Sequence, residues 1–231
     1  MFKILSAGIL CALLVGPAAA QRVRQPRDVI EAYRVCRRFQ TLLAENLDFA
    51  TAFEATFTKN ASRRRQIAIY EGEFGDVDSA KIDDATLLQA FKARMQIVYL
   101  MLPLASPDSN EEQALFFPAA IKAIFERKPP STPDEFPAYA QQLQRDAAAF
   151  RAHLNQLAAR NPRVAQRIRK FKQDLLQLPK LPAGRVEPLT SYSKGHVLEP
   201  DEKYYQIGDY ALIREGAQMK IIGIRFFSRL F

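Results

Sequence analysis

The chain has 231 residues, 48% of them hydrophobic and 25% charged, with a formal net charge of +8 at pH 7. That balance excludes a disordered chain, and two cysteines exclude a disulfide framework. A chain of this size buries roughly 70% of its extended surface, so one core is enough to hold it.

Residues 1–20 read as a secretory leader. Lys3 is a short positive start, Ile4 to Val15 is apolar apart from Ser6 and Gly8, and Pro17 ends the run. Ala18-Ala19-Ala20 supplies the small residues of a cleavage site before Gln21. The apolar run is about 12 residues, where a membrane span needs about 20. Leu10 precedes Cys11, so lipoprotein cleavage is not expected. The pattern predicts an exported protein, periplasmic or extracellular, with no transmembrane segment in the mature chain. Cys36 then remains alone and is expected to serve as a small buried hydrophobe.

The first helix is predicted from Pro26–Asp28 to Glu45, with Val29, Ile30, Tyr33, Cys36, Phe39, Leu42 and Leu43 at helical spacing and Asn46 as C-cap. Asp48 caps a short second helix whose Phe49, Phe53 and Phe57 stack at intervals of four. A third short helix follows Ser62. Residues 71–84 form an acidic loop. An EF-hand begun at Asp76 needs glycine at position 81 and glutamate at 87, and the chain has Lys81 and Leu87 there. Asp83 or Asp84 starts the next helix, which runs to about Leu104 with an almost wholly apolar stretch from Met95. Ser109 with Glu112 reads as a capping box, Pro118 as a break, and Pro129-Pro130 as a linker. Thr132-Pro133-Asp134-Glu135 reads as a second capping box opening a long helix through Tyr139, Leu143, Ala147, Phe150 and Leu154. Asn161-Pro162 starts another, with Val164, Ile168, Phe171, Leu175 and Leu178 inward.

After the proline-rich stretch 178–188 the period changes. Val186–Leu198 admits one strand. Tyr204–Arg214 and Met219–Phe227 read as a hairpin turning at Glu215-Gly216-Ala217-Gln218. The expected architecture is a predominantly helical α+β fold: a helical body over 21–180 and a C-terminal segment, 185–231, whose small antiparallel sheet packs on the helices. The opening helix pair and closing hairpin resemble the two ends of the nuclear-transport-factor-like, or SnoaL-like, superfamily. The resemblance covers about a quarter of the chain, with Met219 where a tryptophan is common. It implies a cone that commonly holds a small ligand, and it assigns no residues.

No G-x-S-x-G elbow, H-E-x-x-H, paired C-x-x-C or phosphate-binding glycine loop occurs. Neither a cofactor nor a metal is expected, because His153, His196 and Cys36 offer no convincing ligand set. Asn60-Ala61-Ser62 is a glycosylation sequon, relevant only in a eukaryotic secretory host. An acid–base site is conceivable at His196 with Glu199, Asp201 and Tyr204.

Charge is the stronger signal. Between Arg145 and Lys172 stand eight basic residues and one acid, Asp146. Arg160, Arg163, Arg167 and Lys170 recur at helical spacing. Arg63-Arg64-Arg65 is a second cluster, and Arg22, Arg24, Arg27, Arg34, Arg37 and Arg38 form a third. Such alignments suit either an anionic partner or a solvated face. The leading expectation is a non-enzymatic protein binding an anionic envelope component or an acidic protein. The alternative is a small-ligand binder or enzyme with a pocket near His196. Nucleic acid is not an expected partner, since export removes it.

Overall fold

The structure is a computed structural model describing residues 25–101, 115–178, 180–181, 185–190, 198–199 and 201–224. The expected leader, the Ser109–Glu112 capping box and His196 lie outside the described residues. Helices α1 (Arg27–Asn46), α2 (Phe49–Thr56), α3 (Ala61–Gly72), α4 (Asp84–Met101), α5 (Ala119–Phe125), α6 (Phe136–Arg160) and α7 (Pro162–Leu175) precede strands β1 (Tyr204–Ile207), β2 (Tyr210–Glu215) and β3 (Gln218–Ile224). The fold is therefore helical α+β, with a small antiparallel sheet of order β1-β2-β3 at its C-terminal end.

The helix boundaries follow local chemistry. The Asp48 carboxylate accepts from the Thr51 N–H, Asn60 from Arg63, Asp83 from Thr86, and Asn161 from both Arg163 and Val164. Each satisfies N–H groups that the first helical turn leaves without partners. Leu47, not Asn46, takes the left-handed position after α1, with φ 48°. The expected capping box at Thr132 does not form: its side chain makes no cap bond, and Pro133–Glu135 is a 3-10 turn. Pro137 accounts for the delay. A helix begun at Thr132 would hold that proline in its interior, where it has no N–H and its ring meets the carbonyl one turn back. Starting at Phe136 places Pro137 in the first turn, where neither matters.

The predicted strand Tyr204–Arg214 is two strands. Ile207 pairs with Tyr210 across Gly208-Asp209, and Glu215 pairs with Gln218 across Gly216-Ala217. Both turns put a glycine first, at φ 58° and 56°, as a type II′ hairpin turn requires. From the expected strand 186–198, the described residues contribute a single bridge, Leu189 to Tyr204. In β3 the register shifts opposite Ala211/Leu212, which leaves Ile222 as the extra residue of a bulge. The bulge rephases the strand, so Met219, Ile221 and Ile224 all join the main core while Ile222 joins Tyr204, Ala211 and Ile213 on the other face.

The sheet rests on α1 and α3. Phe57 extends past α2 to bridge Ile221 in parallel sense, and the Thr58 N–H donates to the Ile221 carbonyl at 3.0 Å. Beneath lies a ring cluster. Phe53 is 4.4 Å from Phe57, 5.5 Å from Phe91 and 5.9 Å from Phe49, and Phe39 meets Phe49, Phe57 and Tyr210 at 5.6–5.9 Å. These rings pack between the sheet and the first helices. On the far side of the body α4 lies mainly along α6. No described helix is long and apolar enough to cross a membrane.

Phe53 is fully buried at the centre of these contacts. Its replacement by alanine is expected to cost about 3–5 kcal/mol in urea unfolding. A loss below about 1 kcal/mol would show that the ring cluster does not hold the core.

Candidate functional site

The basic clusters divide by what their side chains touch. Successive residues of a helix point about 100° apart, so Arg63, Arg64 and Arg65 diverge. Arg63 shares the inward stripe of α3 with Ile67 and Glu71 and is only 8% exposed. Its guanidinium lies 2.5 Å from Glu202, just before β1, and 3.8 Å from Glu215, the last residue of β2. Glu215 also accepts from the Thr58 hydroxyl and the Lys59 N–H. Arg64 reaches Glu54 on α2 at 2.5 Å, with its cation 5.0 Å from the Phe53 ring. Arg65 binds Asp84 and the carbonyls of Ser79 and Ile82, which fastens the start of α4. All three cations are thus engaged by groups of the fold.

Two further arginines, not singled out by sequence reasoning, act likewise. Arg214 ends the inward row Tyr210–Leu212–Arg214 of β2 and pairs with Asp28 at 2.5 Å and with Glu31, both in the first turns of α1. The hydrogen bond to Arg214 holds the Glu31 carboxyl below its usual range, and the same contact raises Arg214. Arg127 lies 2.5 Å from Asp146 on α6, which also accepts from Gln142 at 2.8 Å.

The remaining cluster differs. Asp146, the one acid between Arg145 and Lys172, is 6% exposed and held internally. The outer surface of this stretch therefore presents cations alone. Asn161 is extended (φ −130°) and separates Arg160, in the last turn of α6, from Arg163, Arg167 and Lys170 on α7, so the predicted stripe spans two helices. Arg160, Arg163, Arg169 and Lys170 are exposed and meet no carboxylate among the described residues. Arg167 is half-buried, its cation 5.4 Å from the Phe116 ring. Lys172 donates to the Glu45 carbonyl at the C-terminal end of α1, a favourable place for a cation. Arg34, Arg37 and Arg38 on α1 are also exposed, whereas Arg27 pairs with Glu31 at 3.1 Å. Arg22 and Arg24 lie outside the described residues.

Around the expected acid–base site, Glu199 and Asp201 are exposed, and the Glu199 N–H donates to Glu202. Tyr204 is buried in the outer apolar cluster of the sheet. His153 lies 3.3 Å from the Leu115 carbonyl. An open depression of about 500 Å³ lies on α1, lined by Gln25, Arg27, Ile30, Glu31 and Arg34. The described residues contain no group of side chains able to hold a metal ion. Buried Cys36 has its thiol pushed up by desolvation, which suits packing rather than reactivity.

No protein-family model, curated protein or solved structure matches the chain.

Glu54 offers a check on the internal network. Burial raises its carboxyl, but hydrogen bonds from Arg64 and Lys92 outweigh burial and bring it down to about 2. A depressed carboxyl stabilises the fold above its unfolded value of about 4.3, and that contribution is lost as pH falls toward about 2. Urea midpoints should fall more steeply through this window in the unaltered protein than in Glu54→Gln. Identical slopes would show that the pairing contributes nothing.

Proposed function

We propose that this chain is an exported protein, periplasmic or extracellular, with a non-enzymatic binding role, and that it docks an anionic partner of the envelope or an acidic protein through the exposed cations of α6 and α7. One observation carries the reading. Arg63–Arg65 meet carboxylates and carbonyls of the fold, whereas Arg160, Arg163, Arg169 and Lys170 are exposed and meet no carboxylate among the described residues; Asp146 is buried, and Asp174 is the one exposed acid on α7. Aligned cations without counter-charges raise the local potential and draw in polyanions. The leader-like residues 1–20 support export, and the absence of a recognisable catalytic motif supports a binding role.

The test is binding to polyglutamate by calorimetry over a salt series. Combined Arg160→Glu, Arg163→Glu and Lys170→Glu should weaken it at least about tenfold at low salt, and salt should weaken the unaltered protein similarly. Arg27→Ala, at an exposed side chain of α1, should leave it unchanged. Affinity insensitive to salt and to the triple reversal would end the proposal.

A further inference from the structure

We infer that the anionic partner of this face is a phospholipid bilayer surface, with α7 lying along the headgroups and Leu176 reaching the acyl boundary. The inference rests on the basic-face reading above and names its partner.

α7 sits at the periphery of the body. Of its residues only Val164 is buried, while Ile168, Phe171 and Leu175 are half-buried against the core. Its outward face carries Arg163, Gln166, Arg169, Lys170, Gln173, Asp174 and Leu176, all exposed, so three cations stand there against one acid. The cations stand on both sides of that face. Arg163 and Lys170 flank one edge, and Arg169 lies seven residues, two turns, before Leu176 on the other. Leu176 is 48% exposed and continues the helical geometry at φ −80°. A convex cationic helix does not present a concavity to a compact ligand. A plane of headgroups, in contrast, meets every cation on it at once, and the long stems of arginine and lysine reach outward while their charges stay wet. The leucine at the end of the same face supplies the apolar contact that an interfacial helix needs in addition to charge. Because no described helix can cross the bilayer, such an association is peripheral.

The chain contains no tryptophan, so Leu176→Trp introduces a single reporter at an exposed position. The experiment mixes this variant with phosphatidylglycerol-containing vesicles and with neutral phosphatidylcholine vesicles, alongside polyglutamate. Circular dichroism confirms that its fold is unchanged. Expected are a blue shift and quenching by brominated acyl chains on anionic vesicles only, both reversed by salt. Adding Arg169→Glu and Lys170→Glu should lower partitioning at least about tenfold, since each cation near the surface contributes about 1 kcal/mol. In the otherwise unaltered protein Leu176→Ser should weaken vesicle binding about fivefold and leave polyglutamate binding unchanged. Vesicle binding with no blue shift and no effect of Leu176→Ser overturns the seating of Leu176. Binding to polyglutamate but not to vesicles overturns the lipid assignment while leaving the basic face intact. Binding to neither removes both.

Discussion

A small sheet of short strands needs an apolar face to bury or a helix to pack on, and the ring cluster built on Phe49, Phe53 and Phe57 is the surface this one closes over. The rings come from one short helix and its first extended residue. At spacing four they share one side, and there they meet Phe91 from α4 and Phe39 from α1, which in turn meets Tyr210 of the sheet. Burial of each ring contributes roughly 1.5–3 kcal/mol, with a further 0.5–1.5 for well-oriented pairs. The same chain segment then supplies the Phe57–Ile221 bridge, so apolar contact and backbone pairing fix the same edge of β3.

Polar ties surround this junction and set how the cations are divided. Arg63 joins α3 to Glu202, just before β1, and to Glu215, the last residue of β2, and Arg214 joins β2 to the first turns of α1. Both lie where removing the cation would take a counter-charge from partly buried carboxylates, which is costlier than the intact pair is stabilising. Arg163, Arg169 and Lys170 of α7 meet no carboxylate among the described residues. Basic composition alone therefore says little. What distinguishes a structural arginine from one able to meet a partner is the presence of a carboxylate within reach inside the fold.

Much of this was legible in the sequence. The 3.6-residue recurrence from Val29 to Leu43, the four-spaced phenylalanines and the stripe from Tyr139 to Leu154 each mark the faces that are buried. The Gly216 turn was legible too. The Gly208 turn was not read, because Tyr204–Ile207 and Tyr210–Ile213 are both good strand formers, and the run reads as continuous across a Gly-Asp pair that is itself a turn signal. The bulge at Ile222 has no local signature, since it serves the pairing of distant strands. Arg63-Arg64-Arg65 reads as one patch in the sequence, but neighbours along a helix diverge by about 100° in space. The spacing of Arg63 with Ile67 was the available clue. The pairs Arg214–Asp28 and Arg127–Asp146 join residues far apart in the chain or across a linker, and pattern alone does not reveal them.

If the ring cluster binds the sheet and helices into one unit, they should open together. Native-state hydrogen exchange tests this directly. The amides of Thr58, Leu212 and Ile221 should exchange with the same opening free energy and denaturant dependence as those of Phe39 and Phe53, at the level of global unfolding. Sheet amides exchanging through a separate, lower-energy opening while α1 and α2 stay protected would contradict the account.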